Sequence, residues 1–163
     1  MVEIWDLLDK DGRHTGIRWS RDDRHNIPDG LYFPCVEIWV TVGDKLLITQ
    51  RHPDKHEGLK YDVSGGAVVS GENMLDAAIR ELSEEVGIIT DVSSLLYLGS
   101  VTVGKAFASS YLLRLEALPE VTLQPAEVVG YRLVTETELE DMTDQLTEGT
   151  HRRYLLYKKS IFK

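Results

Sequence analysis

Three glutamates stand close together near the middle of the chain, in the stretch RELSEEVG that begins at Arg80. If this stretch is helical, Glu81, Glu84 and Glu85 fall on one stripe, because each residue advances about 100° around the axis. Like charges at this spacing repel by about 0.2–0.5 kcal/mol per pair, and a helix C-terminus disfavours them further. Local stability therefore does not explain these residues, whereas binding of a divalent cation such as Mg²⁺ by their oxygen atoms would.

A helix is predicted from Glu72 to Val86, since this range contains neither glycine nor proline and Gly87 follows at the expected C-terminus. Ser70 or Asn73 is a suitable N-cap residue. The apolar residues are expected to face the core on a stripe roughly opposite to the acidic one: Leu75, Ala78, Ile79, Leu82 and Val86.

The residues from Gly66 onward have the spacing G-x5-E-x7-R-E-L-x-E-E-x-G-I. This pattern resembles the Nudix box, the signature of hydrolases that split a nucleoside diphosphate linked to another moiety. The resemblance implies a loop-helix-loop catalytic motif on an α/β/α sandwich with a mixed β-sheet. It also implies a Mg²⁺-dependent pyrophosphohydrolase, in which Mn²⁺ substitutes for Mg²⁺, acting on a diphosphate linkage in a nucleoside diphosphate derivative or another small organic diphosphate.

The resemblance also assigns roles to individual residues. Glu81, Glu84 and Glu85 match the positions of the metal ligands and the general base, with Glu81 favoured as the base, and the backbone of Gly66 would approach the metal. Three further residues match those that brace the motif: Glu72, Arg80 and Gly87.

Two residues outside the box are weaker candidates. Glu127 lies in a polar turn before a predicted strand and is a candidate for an additional carboxylate ligand. Arg51, at the end of another predicted strand, is a candidate for contact with phosphate. Each is at least as well explained as a solvated loop charge.

A second resemblance concerns the opening WDLLDKDGRHTG, the following IPDGLYF and the strand LLITQR. Together they are similar to the branch of the superfamily related to type 1 isopentenyl diphosphate isomerase. The cysteine and histidines of those isomerases are replaced here by Ser64, Gly66 and Phe33, and a serine hydroxyl is too weak an acid and base to take over the role of the thiol. Hydrolysis is therefore favoured; the alternatives are an isomerase and a non-catalytic nucleotide-binding module.

The rest of the chain predicts an α/β (α+β) fold. Residues 1–30 are expected to form an N-terminal β-hairpin, from Glu3–Leu8 and Thr15–Trp19, and a linker within the same unit as the Nudix domain, residues 31–163. Strands within 32–51, 95–103, 109–118 and 128–135 and helices within 135–142 and 150–162 complete the prediction.

Composition limits the environment and the partners of this chain of 163 residues. A net charge of −9 argues against long nucleic acid, and no run approaches the roughly 18 apolar residues of a membrane span. With no signal peptide, a cytoplasmic protein is expected, acting on a small-molecule diphosphate as a monomer or a homodimer. The single cysteine, Cys35, is expected to be a strand residue rather than a nucleophile.

Overall fold

The computed structural model describes residues 1–163, which form nine strands and three α-helices. The strands are β1 (Ile4–Leu8), β2 (His14–Ser20), β3 (Phe33–Val42), β4 (Lys45–Arg51), β5 (Tyr61–Asp62), β6 (Ser64–Ala67), β7 (Leu95–Val103), β8 (Ala106–Leu115) and β9 (Val128–Val134). The α-helices are α1 (Met74–Val86), α2 (Glu136–Asp141) and α3 (Glu148–Ile161). No helix has the length and apolar character that crossing a membrane demands.

The central sheet is mixed and has seven strands, in the order β5-β4-β3-β8-β7, with β6 paired to β3 and β9 paired to β4. Strands β3 and β8 are parallel over ten residue pairs, and every other pairing is antiparallel. β6 pairs with the first half of β3 and β4 with the second half. β3 is therefore central, and the segment that precedes α1 runs beside it.

Side chains on the two faces of β3 enter different cores. Val36, Ile38 and Val40 pack with the apolar residues of α1, whereas Trp39 packs with Tyr154 of α3 on the other face. Because successive side chains of a strand point to opposite faces, a strand covered on both sides must be apolar almost throughout. The predicted α/β/α sandwich with a mixed sheet is thus confirmed.

Most predicted elements are present, but their boundaries differ in part. α1 begins at Met74 rather than Glu72, because Asn73 is the N-cap and its Oδ1 accepts the Asp76 N–H at 2.9 Å. Strands β5 and β6 were not predicted. β6 has the sequence SGGA, which lacks the β-branched residues of a typical strand. Its pairing depends on close backbone approach, since a Cβ on Gly65 would lie 2.3 Å from the Val36 carbonyl oxygen.

The N-terminal hairpin, β1 and β2, packs against both β3 and the loop that leads into α1. The Trp5 ring stacks on Phe33 of β3 with centroids 4.3 Å apart. The Asp6 carboxylate accepts the Ser70 hydroxyl at 2.7 Å and the Gly71 N–H at 2.9 Å. The hairpin consequently holds the loop that precedes the box helix.

We expect Asp6→Ala to lower the free energy of unfolding at pH 7 by about 1 kcal/mol, because charge-assisted hydrogen bonds are lost from a carboxylate still open to solvent. The hydrogen bonds from Ser70 and Gly71 hold the pKa of Asp6 below its ordinary value of 3.8. The stabilisation is therefore complete above pH 3.8 and is lost as the pH falls through the lower pKa of the folded state. Urea unfolding from pH 7 to pH 3 measures this difference.

Arg18→Ala is the matched control, because it removes only a distant ion pair, 3.9 Å from Asp6 Oδ1, and leaves both hydrogen bonds in place. This control should lower the free energy of unfolding by less than about 0.5 kcal/mol. An equal decrease in the free energy of unfolding in both variants would show that the hydrogen bonds to the loop do not hold the hairpin.

Candidate active site

The box helix α1 ends where the sequence predicts. Gly87 adopts a left-handed conformation with φ of 71°, and its N–H donates to the carbonyl oxygens of Leu82 and Ser83. A side chain at this φ is strained, and a Cβ would also lie 3.0 Å from the Cβ of Thr122. Glycine at this position lets the chain leave the helix directly after its acidic residues.

The predicted apolar stripe of α1 packs in the core, but the acidic stripe is not the exposed side opposite to it, because two of its three glutamates are largely buried. Glu85 is 8% exposed, and the Glu81 side chain is 12% exposed. Ala77, which lies on the same side of the helix, is fully buried in the core cluster that contains Val36 and Ile38 of β3. Only Glu84, with a side chain 48% exposed, opens to solvent.

The Arg80 guanidinium connects both ends of the box. Its Nε and Nη2 donate to the two carboxylate oxygens of Glu72 at 2.8 and 3.0 Å, and Nη2 also donates to the Ala67 carbonyl oxygen at 3.1 Å. Nη1 donates to Glu81 Oε1 at 2.7 Å and to Glu84 Oε2 at 3.3 Å. One cation thus ties the loop, β6 and two of the three box carboxylates together.

The donor atoms of this site have the chemistry that a hard divalent cation requires, since they are carboxylate and carbonyl oxygens. The Glu81 carboxylate lies directly against Gly66, where a Cβ would be 2.3 Å from Oε1. No three acidic, histidine or cysteine side chains are gathered around one point in this arrangement. Arg80 Nη1 stands between Glu81 and Glu84 instead, so both side chains must rotate if they are to share one ion.

Glu85 is the most deeply buried of the box carboxylates. Burial, with smaller contributions from the negative charges of Asp62 and Glu81, raises its pKa to about 8. The Gly65 N–H donates to Glu85 Oε2 at 3.3 Å and acts in the opposite direction. A cation that binds this carboxylate near neutral pH would therefore displace a proton.

The weaker candidates Arg51 and Glu127 both lie on the cleft in front of the box. Arg51 Nη1 donates to Asp62 Oδ2 at 2.6 Å, and its Nε donates to the His56 carbonyl oxygen at 2.9 Å. Glu127 pairs with the Lys55 ammonium group. Neither is a free loop charge: each belongs to an ion pair on this wall.

The cleft has a volume of about 600 Å³ and is predominantly polar, with six hydrophobic residues among the 27 that line it. It receives residues from the hairpin, β3, the β5–β6 segment, α1 and α3. Glu72 and Gly87 lie outside its lining, whereas the other candidate residues lie on it: Arg51, Gly66, Arg80, Glu81, Glu84, Glu85 and Glu127.

Several charged residues of the cleft were not predicted, among them Asp62, Lys55, Glu37 and Arg153. Asp62 adds a carboxylate beside Glu85, and Glu37 pairs with Arg153. Their partners lie far away in sequence, by as many as 116 positions in the Arg153–Glu37 pair. Local spacing therefore carried no signal for them.

Cys35 lies on β3 at the cleft, as its apolar neighbours predict. Burial raises the pKa of its thiol to about 12. The thiolate, which is the nucleophilic form, is therefore disfavoured at neutral pH, in agreement with the expectation that Cys35 is a structural residue.

Comparison with known proteins matches residues 31–157 to the NUDIX domain. The chain belongs to the Nudix hydrolase family. It is 32% identical over 142 residues to an uncharacterized Nudix hydrolase of Listeria monocytogenes. The aligned region covers 85% of this chain and 83% of the Listeria protein. The expected enzyme class is thereby confirmed.

Two solved structures share the fold of this Nudix hydrolase. The protein DR0079 from Deinococcus radiodurans has a TM-score of 0.74 at 23% identity, covering 96% of this chain and 98% of that one. A bifunctional NMN adenylyltransferase/ADP-ribose pyrophosphatase from Francisella tularensis, complexed with AMP and a manganese ion, has a TM-score of 0.67 at 19% identity. That likeness covers 80% of this chain and 42% of the Francisella chain.

We expect Gly66→Ala to lower the rate of hydrolysis of a diphosphate substrate about 10²-fold, since small displacements of reacting groups have effects of this size. The new Cβ would meet the Glu81 carboxylate, with Oε1 at 2.3 Å and Oε2 at 2.7 Å. Because the group that must move is the end of a side chain, the melting temperature should fall by only a few degrees.

Gly130→Ala in β9 is the control, because its Cβ would make an ordinary contact of 3.5 Å with Gln50 Oε1. Steady-state kinetics and thermal unfolding of both variants measure the effect. A fully active Gly66→Ala variant would show that the contact with Glu81 is unimportant for the reaction.

Proposed function

We propose that this Nudix hydrolase cleaves the diphosphate linkage of a small nucleoside diphosphate derivative, with Mg²⁺, or Mn²⁺ in its place, as the cofactor. One observation carries the proposal: the box carboxylates of α1 and the cationic side chains of Arg51 and Lys55 line the same cleft. Such a cleft offers oxygen ligands for a cation and N–H donors for phosphate oxygens. The manganese ion and AMP in the Francisella structure support the same class of cofactor and ligand.

Glu81, Glu84 and Glu85, with the carbonyl oxygen of Gly66, are the proposed ligands. When bound there, Mg²⁺ or Mn²⁺ would supply the positive charge that offsets the negative charge of the phosphate oxygens. We assign the general base to Glu81, whose carboxylate lies directly against Gly66. Its carboxylate accepts a proton from water as the water oxygen attacks one phosphorus, and the bond from that phosphorus to the bridging oxygen breaks.

Arg51 and Lys55 are proposed to receive the phosphate oxygens on the other side of the cleft. Both cations already have acidic partners, Asp62 and Glu127. These partners hold the two side chains in place, so that little conformational entropy is lost when the substrate binds. Arg51 is the more fixed of the two because its Nε is also bound to a backbone carbonyl oxygen.

The isomerase alternative is less well supported by the cleft. Ser64, at the position of the isomerase cysteine, is 3% exposed and does not line the cleft. Phe33 stacks on Trp5 where a ligand histidine was expected. Only six of the 27 residues that line the cleft are hydrophobic, so few apolar side chains are available to hold an isoprenoid chain. A non-catalytic module, the third alternative, would not require the complete set of box carboxylates.

We expect hydrolysis to stop in excess EDTA and to return when Mg²⁺ or Mn²⁺ is added, because the acidic wall cannot approach a diphosphate unaided. Mass spectrometry of products from nucleotide sugars, dinucleotides, nucleoside diphosphates and isopentenyl diphosphate provides the measurement. Full turnover in excess EDTA would contradict the mechanism. Isomerisation of isopentenyl diphosphate without loss of phosphate would establish the isomerase, and ligand-induced stabilisation without product would indicate a binding module.

Glu85→Gln separates a cation site from a merely acidic surface. The change replaces a buried carboxyl group whose ionised form is disfavoured by burial and by the charges of Asp62 and Glu81, so melting without metal should be unchanged or higher. Turnover should fall at least about 10²-fold, because a strong ligand is lost. The variant should also lose most of the cation-dependent stabilisation, which for the wild type reaches about 2.7 kcal/mol at a hundredfold excess over Kd.

Glu116→Gln is the matched control, since Glu116 is exposed and follows β8. It should keep both the wild-type rate and the cation-dependent shift in melting temperature. Equal rates and equal shifts in the Glu85→Gln variant and the wild type would move the cation site away from Glu85.

A further inference from the structure

The Arg153 side chain reaches the cleft from α3, on the face of the sheet opposite to α1. Its Nε donates to Oε2 of Glu37, a β3 residue that is 5% exposed. Glu37 Oε1 accepts the Ser110 hydroxyl at 2.5 Å and the Trp39 indole N–H at 3.0 Å. Both oxygens of Glu37 are therefore engaged, and the guanidinium is held in one orientation.

The two terminal nitrogens of Arg153 remain available for a ligand. Nη1 and Nη2 have no hydrogen-bond acceptor within the protein. Every side-chain polar atom that is sealed from solvent does have a hydrogen-bond partner, so these two nitrogens are exposed. Arg153 lines the cleft. The two nitrogens lie beside Gly149, where a Cβ would be 3.2 Å from each of them. The absence of a side chain at Gly149 lets the guanidinium lie close against α3.

The position of this guanidinium is set by the register of β3 and β6. Glu37 stands directly opposite Gly65, and opposite residues of antiparallel strands have Cα atoms about 4.5–5.5 Å apart. The Gly65 N–H donates to Glu85 of the box. Arg153 is thus anchored, through Glu37, one strand away from Gly65, which contacts Glu85 of the box.

The geometry of the guanidinium suits a planar group with two hydrogen-bond acceptors. The buried Glu37 carboxylate already accepts the Arg153 Nε–H. A guanidinium held through Nε presents two N–H donors in one plane, which match two adjacent acceptors in a ring. Phe33 and Glu37 lie on the same face of β3, so the cleft also has an aromatic side chain on that face.

We propose that Arg153 is a specificity-determining residue that recognises a nucleobase edge with two adjacent hydrogen-bond acceptors. This inference rests on the proposed function and names the moiety attached to the diphosphate. Guanine offers O6 and N7 as such a pair, and cytosine offers O2 and N3. Adenine and uracil place an N–H donor beside the acceptors of their pairing edges, so they match the guanidinium less well.

The test is the binding of nucleoside monophosphates, which contain no diphosphate linkage, to the wild type and to Arg153→Lys in the presence of Mg²⁺. By calorimetry, at least one of GMP and CMP should bind the wild type about tenfold or more tightly than AMP and UMP, as expected for a bidentate contact. Arg153→Lys should reduce this preference to within about twofold and leave the affinity for AMP unchanged.

Lysine retains a positive charge beside Glu37, so the fold should persist, whereas Arg153→Ala would leave a buried carboxylate unpaired. Arg152→Lys is the matched control, because Arg152 pairs with Glu148 and its side chain is 65% exposed. It should keep the wild-type preference. Unchanged melting temperatures confirm that the comparison concerns recognition rather than folding.

Several outcomes would overturn the inference. These are a wild type that binds none of the four nucleotides or does not discriminate among them, and an Arg153→Lys variant that keeps the preference. If Arg153→Lys weakened the binding of all four nucleotides and of inorganic pyrophosphate equally, Arg153 would instead be assigned to a phosphate. Because monophosphates are not substrates for diphosphate cleavage, a failure to hydrolyse diphosphates would overturn the proposed function and leave this result standing.

Discussion

The ion pair between Arg80 and Glu72 is the interaction on which the geometry of the box depends. Both carboxylate oxygens of Glu72 are bound by one guanidinium, which also holds the Ala67 carbonyl oxygen at the end of β6. The loop, the strand and the helix are thereby joined at a single point. Since removal of one partner from a largely buried pair leaves an uncompensated charge, the arrangement of Glu81 beside Gly66 depends on this contact as well.

The cleft places like charges close together and compensates them through pairs from different elements. Glu85 and Asp62 are neighbours whose repulsion and burial favour a neutral carboxyl group. The Arg51 guanidinium compensates the negative charge of Asp62, and the Lys55 ammonium group compensates that of Glu127. Because charges in a partly buried cleft are screened less than charges on an open surface, these ion pairs keep the opposing charges of the cleft compensated before a cation or a diphosphate binds.

Strand β3 brings the two sides of the cleft into register. Its pairing with β6 positions the glycines of the box, and its pairing with β8 places Ser110 against Glu37. Glu37 in turn orients Arg153, which comes from a helix on the other face of the sheet. The two helices α1 and α3 therefore contribute to one cleft although their cores are separated by the sheet.

The sequence by itself determined the family, the box helix and most of the strands, because these depend on local spacing. The run from Gly66 to Ile88 carries the signature, and Gly87 ends the helix through a conformation that glycine adopts at little cost. Tertiary structure decided that the acidic side of α1 is largely buried, since Glu81 lies against Gly66 of β6 and Glu85 accepts the Gly65 N–H. It also decided the pairing of β6, whose glycines are favoured by backbone proximity rather than by strand propensity, and the partners of Arg51, Glu127 and Arg153, because ion pairs form between side chains that only the folded chain brings together.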